Sequence, residues 1–306
     1  MILSDNTRGI LYMNISMAAF TLNDILVKLV AMDLPLAQVM TIRGVMTVVL
    51  LLCLAQIRGG FTLRLPRREG ILLGWRTLAE IGGTVTFLLA LMQMPLANLS
   101  AIMQSLPLAV TLAGAVFLRE QIGWRRVSAI LVGFIGVMFI VRPGTEGFNI
   151  WSLVALASVA FVVVRDLVTR SFAVSVPSVV IAVWTALAIM LTGMVGMFFE
   201  EWHPVRLVDF LRMGAASLAL VLGYLFIVMA MRVGDVAMIA PFRYTALLWA
   251  ILAGWIAFGN LPGEMTLFGA AIIVISGLYT YLREQRLQRK LAASRAALTG
   301  TATPNR

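Results

Sequence analysis

The sequence predicts an all-α membrane protein, with ten transmembrane helices arranged as two inverted five-helix repeats. Three observations carry that prediction. The 306 residues are 61% hydrophobic and only 12% charged, whereas globular domains run near 45–50% apolar and about 25% charged. Ten apolar runs are each long enough to cross a hydrocarbon core of ~30 Å, which takes about 20 helical residues. Residues in the second half of the chain also repeat those of the first at a nearly fixed offset.

Taken in order, the spans are expected at 8–31, 36–57, 71–92, 97–118, 124–141, 150–172, 177–199, 210–232, 236–258 and 265–283. Short loops between them make chain neighbours antiparallel and packed. Ten spans place both termini on one side. With the N-terminus inside, sixteen Lys and Arg fall in inner segments and four in outer ones. This positive-inside bias puts both termini in the cytoplasm. The net charge of +10 is thereby accounted for without a nucleic-acid partner. The N-terminus does not read as a cleaved signal, because the apolar run continues past Asn23 and Asp24. The tail, 284–306, is expected to be basic and cytoplasmic, lying against anionic lipid, with its last ten residues lacking regular structure.

The repeat begins in the first helix. Shifted by 142 positions, Ser16 falls on Ser158, Ala18 on Ala160, Asp24 on Asp166 and Lys28 on Arg170, and Pro35 falls on Pro177. From the third helix the shift is 140: Gly83 falls on Gly223, Ala97 on Ala237, Gly114 on Gly254 and Gly123 on Gly263. The halves divide at 8–141 and 150–283. Five spans is an odd number, so the second half enters from the opposite side. Carriers with this symmetry bind substrate near the midplane, between the repeats.

Charges within apolar spans are costly and usually face a bundle interior or a watery path. Asp24 and Arg43 both lie ~10 Å below the outer boundary, at 1.5 Å per residue, and are expected to pair as a latch or a structural tie. Asp166 and Arg243 lie at the mirrored depth and are expected to pair likewise, with Arg165 on another helical face. Arg76 and Glu80 share a face at i,i+4. Glu80 is ~14 Å deep, and its repeat position is Leu220, so fold symmetry does not demand an acid there. It is the foremost candidate for a substrate or proton contact. Gln93, Gln104, Tyr224, Tyr244 and Trp249 complete the candidate set, the aromatics as a stacking wall and Arg243 as an anion or carbonyl contact. Gly82, Gly83, Gly114, Gly223 and Gly254 are read as close-approach positions between helices. Pro107 and Pro241 do not align in the repeat, so two different hinges are expected.

Residues 95–120, PLANLSAIMQSLPLAVTLAGAVFLRE, with Gly123, and residues 233–260, VGDVAMIAPFRYTALLWAILAGWIAFGN, with Gly263, resemble the EamA-domain branch of the drug/metabolite transporter superfamily. Glu120 keeps the acidic residue often found there after the fourth helix, and Asn260 departs from it. The resemblance covers roughly 8–283. It implies a secondary active carrier of a small organic metabolite in a bacterial inner membrane, monomeric or homodimeric, working by alternating access with protons as a candidate coupling ion. The first helix and the Arg76–Glu80 segment resemble uptake members such as riboflavin and S-adenosylmethionine carriers more than amino-acid exporters, which implies uptake of a vitamin-like or nucleoside-like compound such as riboflavin. A carrier for S-adenosylmethionine and an exporter of amino acids or drugs are the alternatives within the superfamily.

Other classes fit less well. One Cys and one His leave no cysteine-rich or histidine-based metal site, and no cofactor is expected. The chain has no phosphate-binding GxxxxGK[ST] loop, GxSxG elbow or HExxH motif. An intramembrane aspartyl enzyme needs two adjacent carboxylates, whereas Asp24 and Asp166 are expected at opposite depths. A channel or scaffold would not require charges mirrored about the midplane.

Overall fold

The computed structural model describes residues 5–57, 66–119, 123–143, 149–172, 178–233 and 236–300, and these are helical apart from short connections. The helices are α1 (Asp5–Ala31), α2 (Leu36–Ile57), α3 (Arg67–Gln93), α4 (Leu96–Met103), α5 (Leu106–Phe117), α6 (Trp124–Val141), α7 (Ile150–Arg170), α8 (Ser178–Gly196), α9 (Leu207–Val233), α10 (Val236–Ile239), a 3₁₀ turn (Ala240–Tyr244), α11 (Thr245–Phe258) and α12 (Glu264–Gly300).

Among the described residues, eight helical segments have the length and hydropathy of a membrane span. In two of them α4 with α5, and the 3₁₀ turn with α11, run on as one span each. Helix α8 contributes a shorter apolar segment, Val180–Gly196. Helix α3 is long enough, but it carries Arg76 and Glu80 in its interior. Together these make the ten expected spans. Helix α12 runs beyond its span to Gly300, so residues 297–300, expected without regular structure, are helical; 301–306 lie outside the described residues, as do Glu120 and Pro177.

Packing follows the sequence repeat. Helix α1 packs along α9 and α3 along α7, an exchanged pair, while α2 packs on α8 and α6 on α12, each on its own counterpart. Individual contacts repeat too. Ser16 Oγ donates to the Gly223 carbonyl at 2.7 Å, and Ser158 Oγ donates to the Gly83 carbonyl at 2.9 Å. Those four positions are the ones the 142 and 140 shifts relate. A methyl on Gly223 would strike the Phe20 ring at 2.7 Å, and one on Gly83 would meet Val162 at 3.3 Å, again an exchanged pair. Close approach in lipid gains packing that apolar bulk alone cannot supply. Gly136 and Gly269 bring the backbones of α6 and α12 together, and a Cβ on either would strike the other's carbonyl oxygen at 2.7 and 2.5 Å. Gly70 and Gly74, by contrast, meet nothing.

The fourth and ninth spans are broken at one repeat position. Helix α4 stops at Met103 and α5 starts at Leu106, and the 3₁₀ turn ends at Tyr244, the counterpart of Gln104. Pro107 sits three residues after the first break and Pro241 three before the second. Pro107 removes the i→i−4 donor that would span the first break, and Pro241 removes one where α10 gives way to the 3₁₀ turn. The two breaks therefore meet at one repeat position but differ in form, a kink between two α-helices in one span and a 3₁₀ turn in the other. The left-handed residues that end the two spans also correspond: Arg119 has φ 55° and Gly259 φ 67°.

Candidate functional site

At the bundle face where α1 ends, loops and helix ends are tied by polar contacts. Lys28 Nζ donates to the Met94 carbonyl at 2.6 Å and lies 5.4 Å from the centre of the Phe258 ring. Gln38 and His203 exchange two hydrogen bonds, 2.7 and 3.0 Å. Arg206 joins Asp33 to the fully buried Asp209, which Arg212 also contacts at 3.3 Å.

Below that face lies the first interior cluster. Arg43 is buried and donates to Asn23 Oδ1 at 3.1 Å. Asn23 Nδ2 in turn donates to Asp24 Oδ1 at 2.9 Å. The expected Asp24–Arg43 ion pair is therefore replaced by a relay through Asn23, whose amide offers one acceptor and one donor and can serve both partners.

The mirrored cluster, nearer the opposite face, is richer. Glu80 accepts from Arg165 at 3.2 Å and pairs with Arg76 at 3.4 Å. Arg165 also holds Asp166 at 2.8 Å. Arg76 reaches Thr169 at 3.1 Å and Thr185. Asp166 thus pairs with its chain neighbour Arg165, and not with Arg243, which acts on it only through space. The separation of Arg165 and Asp166 onto different helical faces does not prevent this, because a long guanidinium stem sweeps round from its own face. Glu80, expected to contact substrate, has its carboxylate engaged by two guanidinium groups. The equivalent positions of the two clusters are Asn23 and Arg165, Asp24 and Asp166, and Arg43 and Thr185. The cation that crosses to a neighbouring helix comes from α2 in one cluster and from α3 in the other, both helices of the first half.

Beside the first cluster, with Asp24 in its wall, lies a cavity of ≈ 240 Å³. Helix α1 lines it with Met17, Phe20, Thr21 and Asp24, α3 with Phe87, and α4 with Leu96, Leu99, Ser100 and Met103. Gln104 and Arg243 from the two helix breaks, Ile227 of α9, and Ala246 and Ala250 of α11 complete it. Such a mixture, mostly apolar with a few convergent polar groups, is typical of small-molecule sites. Among the described residues, the Arg243 guanidinium makes no hydrogen bond or ion pair, and its side chain is accessible. Tyr224 is 52% accessible and packs edge-on against Phe20 at 5.2 Å. It interacts electrostatically with Glu80, Arg165, Arg76 and Arg43.

Three expected residues stand elsewhere. Gln93 is exposed at the end of α3. The Tyr244 hydroxyl backs onto Gly277 of α12. Trp249, on α11, lies outside the cavity lining. Sequence reasoning missed Asn23, Arg165, Thr169, Thr185, Phe20 and Phe87. The signal for three of them was present: Asn23 and Arg165 are polar at one repeat position, and Thr185 with Arg43 at another. Among the described residues no cluster of side chains is suited to hold a metal ion.

Residues 7–142 match the EamA-like transporter family. An S-adenosylmethionine uptake transporter of Rickettsia felis is 27% identical over 92% of this chain and 95% of its own. A riboflavin transporter of Vibrio cholerae is 29% identical over 62% of this chain, and the match spans 64% of that protein, just under two thirds. A pseudopaline exporter of Pseudomonas aeruginosa is 26% identical over 88% of this chain and 94% of its own. A crystal structure superposes with a TM-score of 0.62 over 87% of this chain and 95% of that one, and at 20% identity it shows the fold alone. Residues 7–142 thus carry an EamA-like transporter domain within a multi-pass helical fold, and the relatives that align along nearly the whole chain are named as transporters.

Proposed function

We propose that the chain is a secondary active carrier that takes up a ring-bearing, vitamin-like or nucleoside-like metabolite across a bacterial inner membrane by alternating access. The observation that carries this reading is the cavity whose wall Asp24 and Arg243 share. It offers aromatic walls at Phe20 and Phe87, a carboxylate at Asp24 and an uncommitted guanidinium at Arg243. A ring would stack on the former, and carbonyl or charged groups would meet the latter two. Residues 8–141 and 150–283 form the two repeats, and residues 284–306 a basic tail against anionic lipid. The excess of Lys and Arg in loops shared with the termini puts both ends in the cytoplasm. The carrier works as a monomer or a homodimer and needs no cofactor. Asp24, which meets no cation directly, is the proposed proton-coupling group.

Riboflavin and S-adenosylmethionine are the two substrates that the names of uptake relatives offer. Uptake into vesicles holding the purified protein tests both, with amino acids as controls. Saturable uptake of riboflavin or S-adenosylmethionine supports the reading. Saturable transport of amino acids alone overturns it in favour of an exporter-like member. Uptake that never saturates points to a channel.

A further inference from the structure

The two helix breaks meet. Gln104 Nε2 donates to the backbone carbonyl of Tyr244 at 3.4 Å. These two residues are counterparts under the 140 shift, so the contact sits on the axis that exchanges the halves. It is nevertheless one-sided, because only one of the two possible bonds exists. Among the described residues the Tyr244 hydroxyl makes no hydrogen bond. It occupies a niche on α12 that exists because residue 277 is glycine, and a Cβ there would overlap it.

An inverted-repeat carrier reaches its second state when each half adopts the other half's conformation. Applied to this contact, the exchange has a definite chemical outcome. Residue 244 becomes the side-chain donor and residue 104 supplies the carbonyl. Both residue types can donate, Gln through its amide and Tyr through its hydroxyl. The helix break frees carbonyl oxygens on both sides.

We propose that Gln104 and Tyr244 are paired positioning residues whose donor role swaps between the two access states. In the state seen here Gln104 donates and Tyr244 is parked against Gly277. In the exchanged state Tyr244 leaves the niche and its hydroxyl donates to the carbonyl of residue 104. The inference rests on the alternating-access reading above and adds the element that discriminates the two states at the centre of the molecule.

The swap predicts opposite effects from two small changes. Gln104→Ala weakens the state seen here, and Tyr244→Phe weakens the exchanged one. The readout is a cysteine in the cavity wall, Ser100→Cys, in a Cys53→Ser background. It is labelled with a membrane-impermeant thiol reagent from each side of oriented vesicles. The ratio of labelling from the two sides should move one way in Gln104→Ala and the other way in Tyr244→Phe. Each shift should be about 2- to 10-fold, the worth of one hydrogen bond. Gly277→Ala, which fills the niche, should move the ratio in the same direction as Gln104→Ala. Should that variant not fold, the first two still decide the matter. Ratios that move the same way, or stay unchanged in protein that elutes as the parent does, overturn the swap. Loss of side-dependent labelling in the parent itself would instead overturn alternating access.

Discussion

Replacing Glu80 by Gln separates a tie from a substrate contact. The carboxylate is 12% accessible, and it meets Arg165 at 3.2 Å and Arg76 at 3.4 Å. With an amide there, two guanidinium groups share the single acid Asp166, whose side chain is 35% accessible. Removing one member of a buried pair costs about 3–5 kcal/mol. Here Arg165 keeps Asp166, and Arg76 keeps Thr169 and Thr185, so a loss just below that range, ~2–3 kcal/mol, is expected. The assay is unfolding in mixed micelles of increasing dodecyl sulfate content, run as a double-mutant cycle with Arg165→Ala. The coupling between the two sites should exceed ~1 kcal/mol, and the substrate KM should stay near that of the parent. A variant within about 0.5 kcal/mol of the parent but with a KM raised at least tenfold would refute the tie. Glu80 would then be the substrate contact that its depth in the sequence implied.

Other outcomes follow from the same geometry. Ser16→Ala and Ser158→Ala should each lower stability by about 0.5–1.5 kcal/mol, and by similar amounts, since they remove repeat-equivalent bonds; the same titration measures both. Arg119→Gly should raise stability by ~1 kcal/mol, because a left-handed conformation strains any residue with a Cβ. Asp24→Asn should keep exchange of substrate between loaded vesicles while losing accumulation driven by a pH gradient, and equal accumulation in the variant would remove Asp24 from proton coupling. Arg243→Gln should raise KM by about tenfold or more, the worth of one charge-assisted hydrogen bond, without the stability loss of Glu80→Gln.

Much of this fold could be read from the residues. Apolar length alone located the ten spans, because lipid demands that every backbone group be satisfied within the helix. The offset of 142 positions paired Ser16 with Ser158 and Asp24 with Asp166, and the packed helices honour that pairing. Side-chain partners were less legible. Arg165 was assigned away from Asp166 by the direction of its Cβ, yet its stem is long enough to reach both Asp166 and Glu80. Asn23 went unread because an amide beside an acid carries no obvious signal until a cation is seen on its far side. The shared break at Gln104 and Tyr244 was hidden by prolines placed on opposite sides of it. Tyr244 turned out to face α12 because Gly277, 33 residues further on, leaves room for its ring.

Substrate counterflow tests the central claim most directly. Vesicles holding the protein are loaded with unlabelled riboflavin or S-adenosylmethionine and diluted into a trace of the labelled compound. A cavity open to one side at a time must exchange label for unlabelled substrate, so the account predicts a transient accumulation of label above its equilibrium level for the compound transported. If both compounds enter without that overshoot, reaching equilibrium as through an open pore, the reading as a carrier of this substrate class is contradicted.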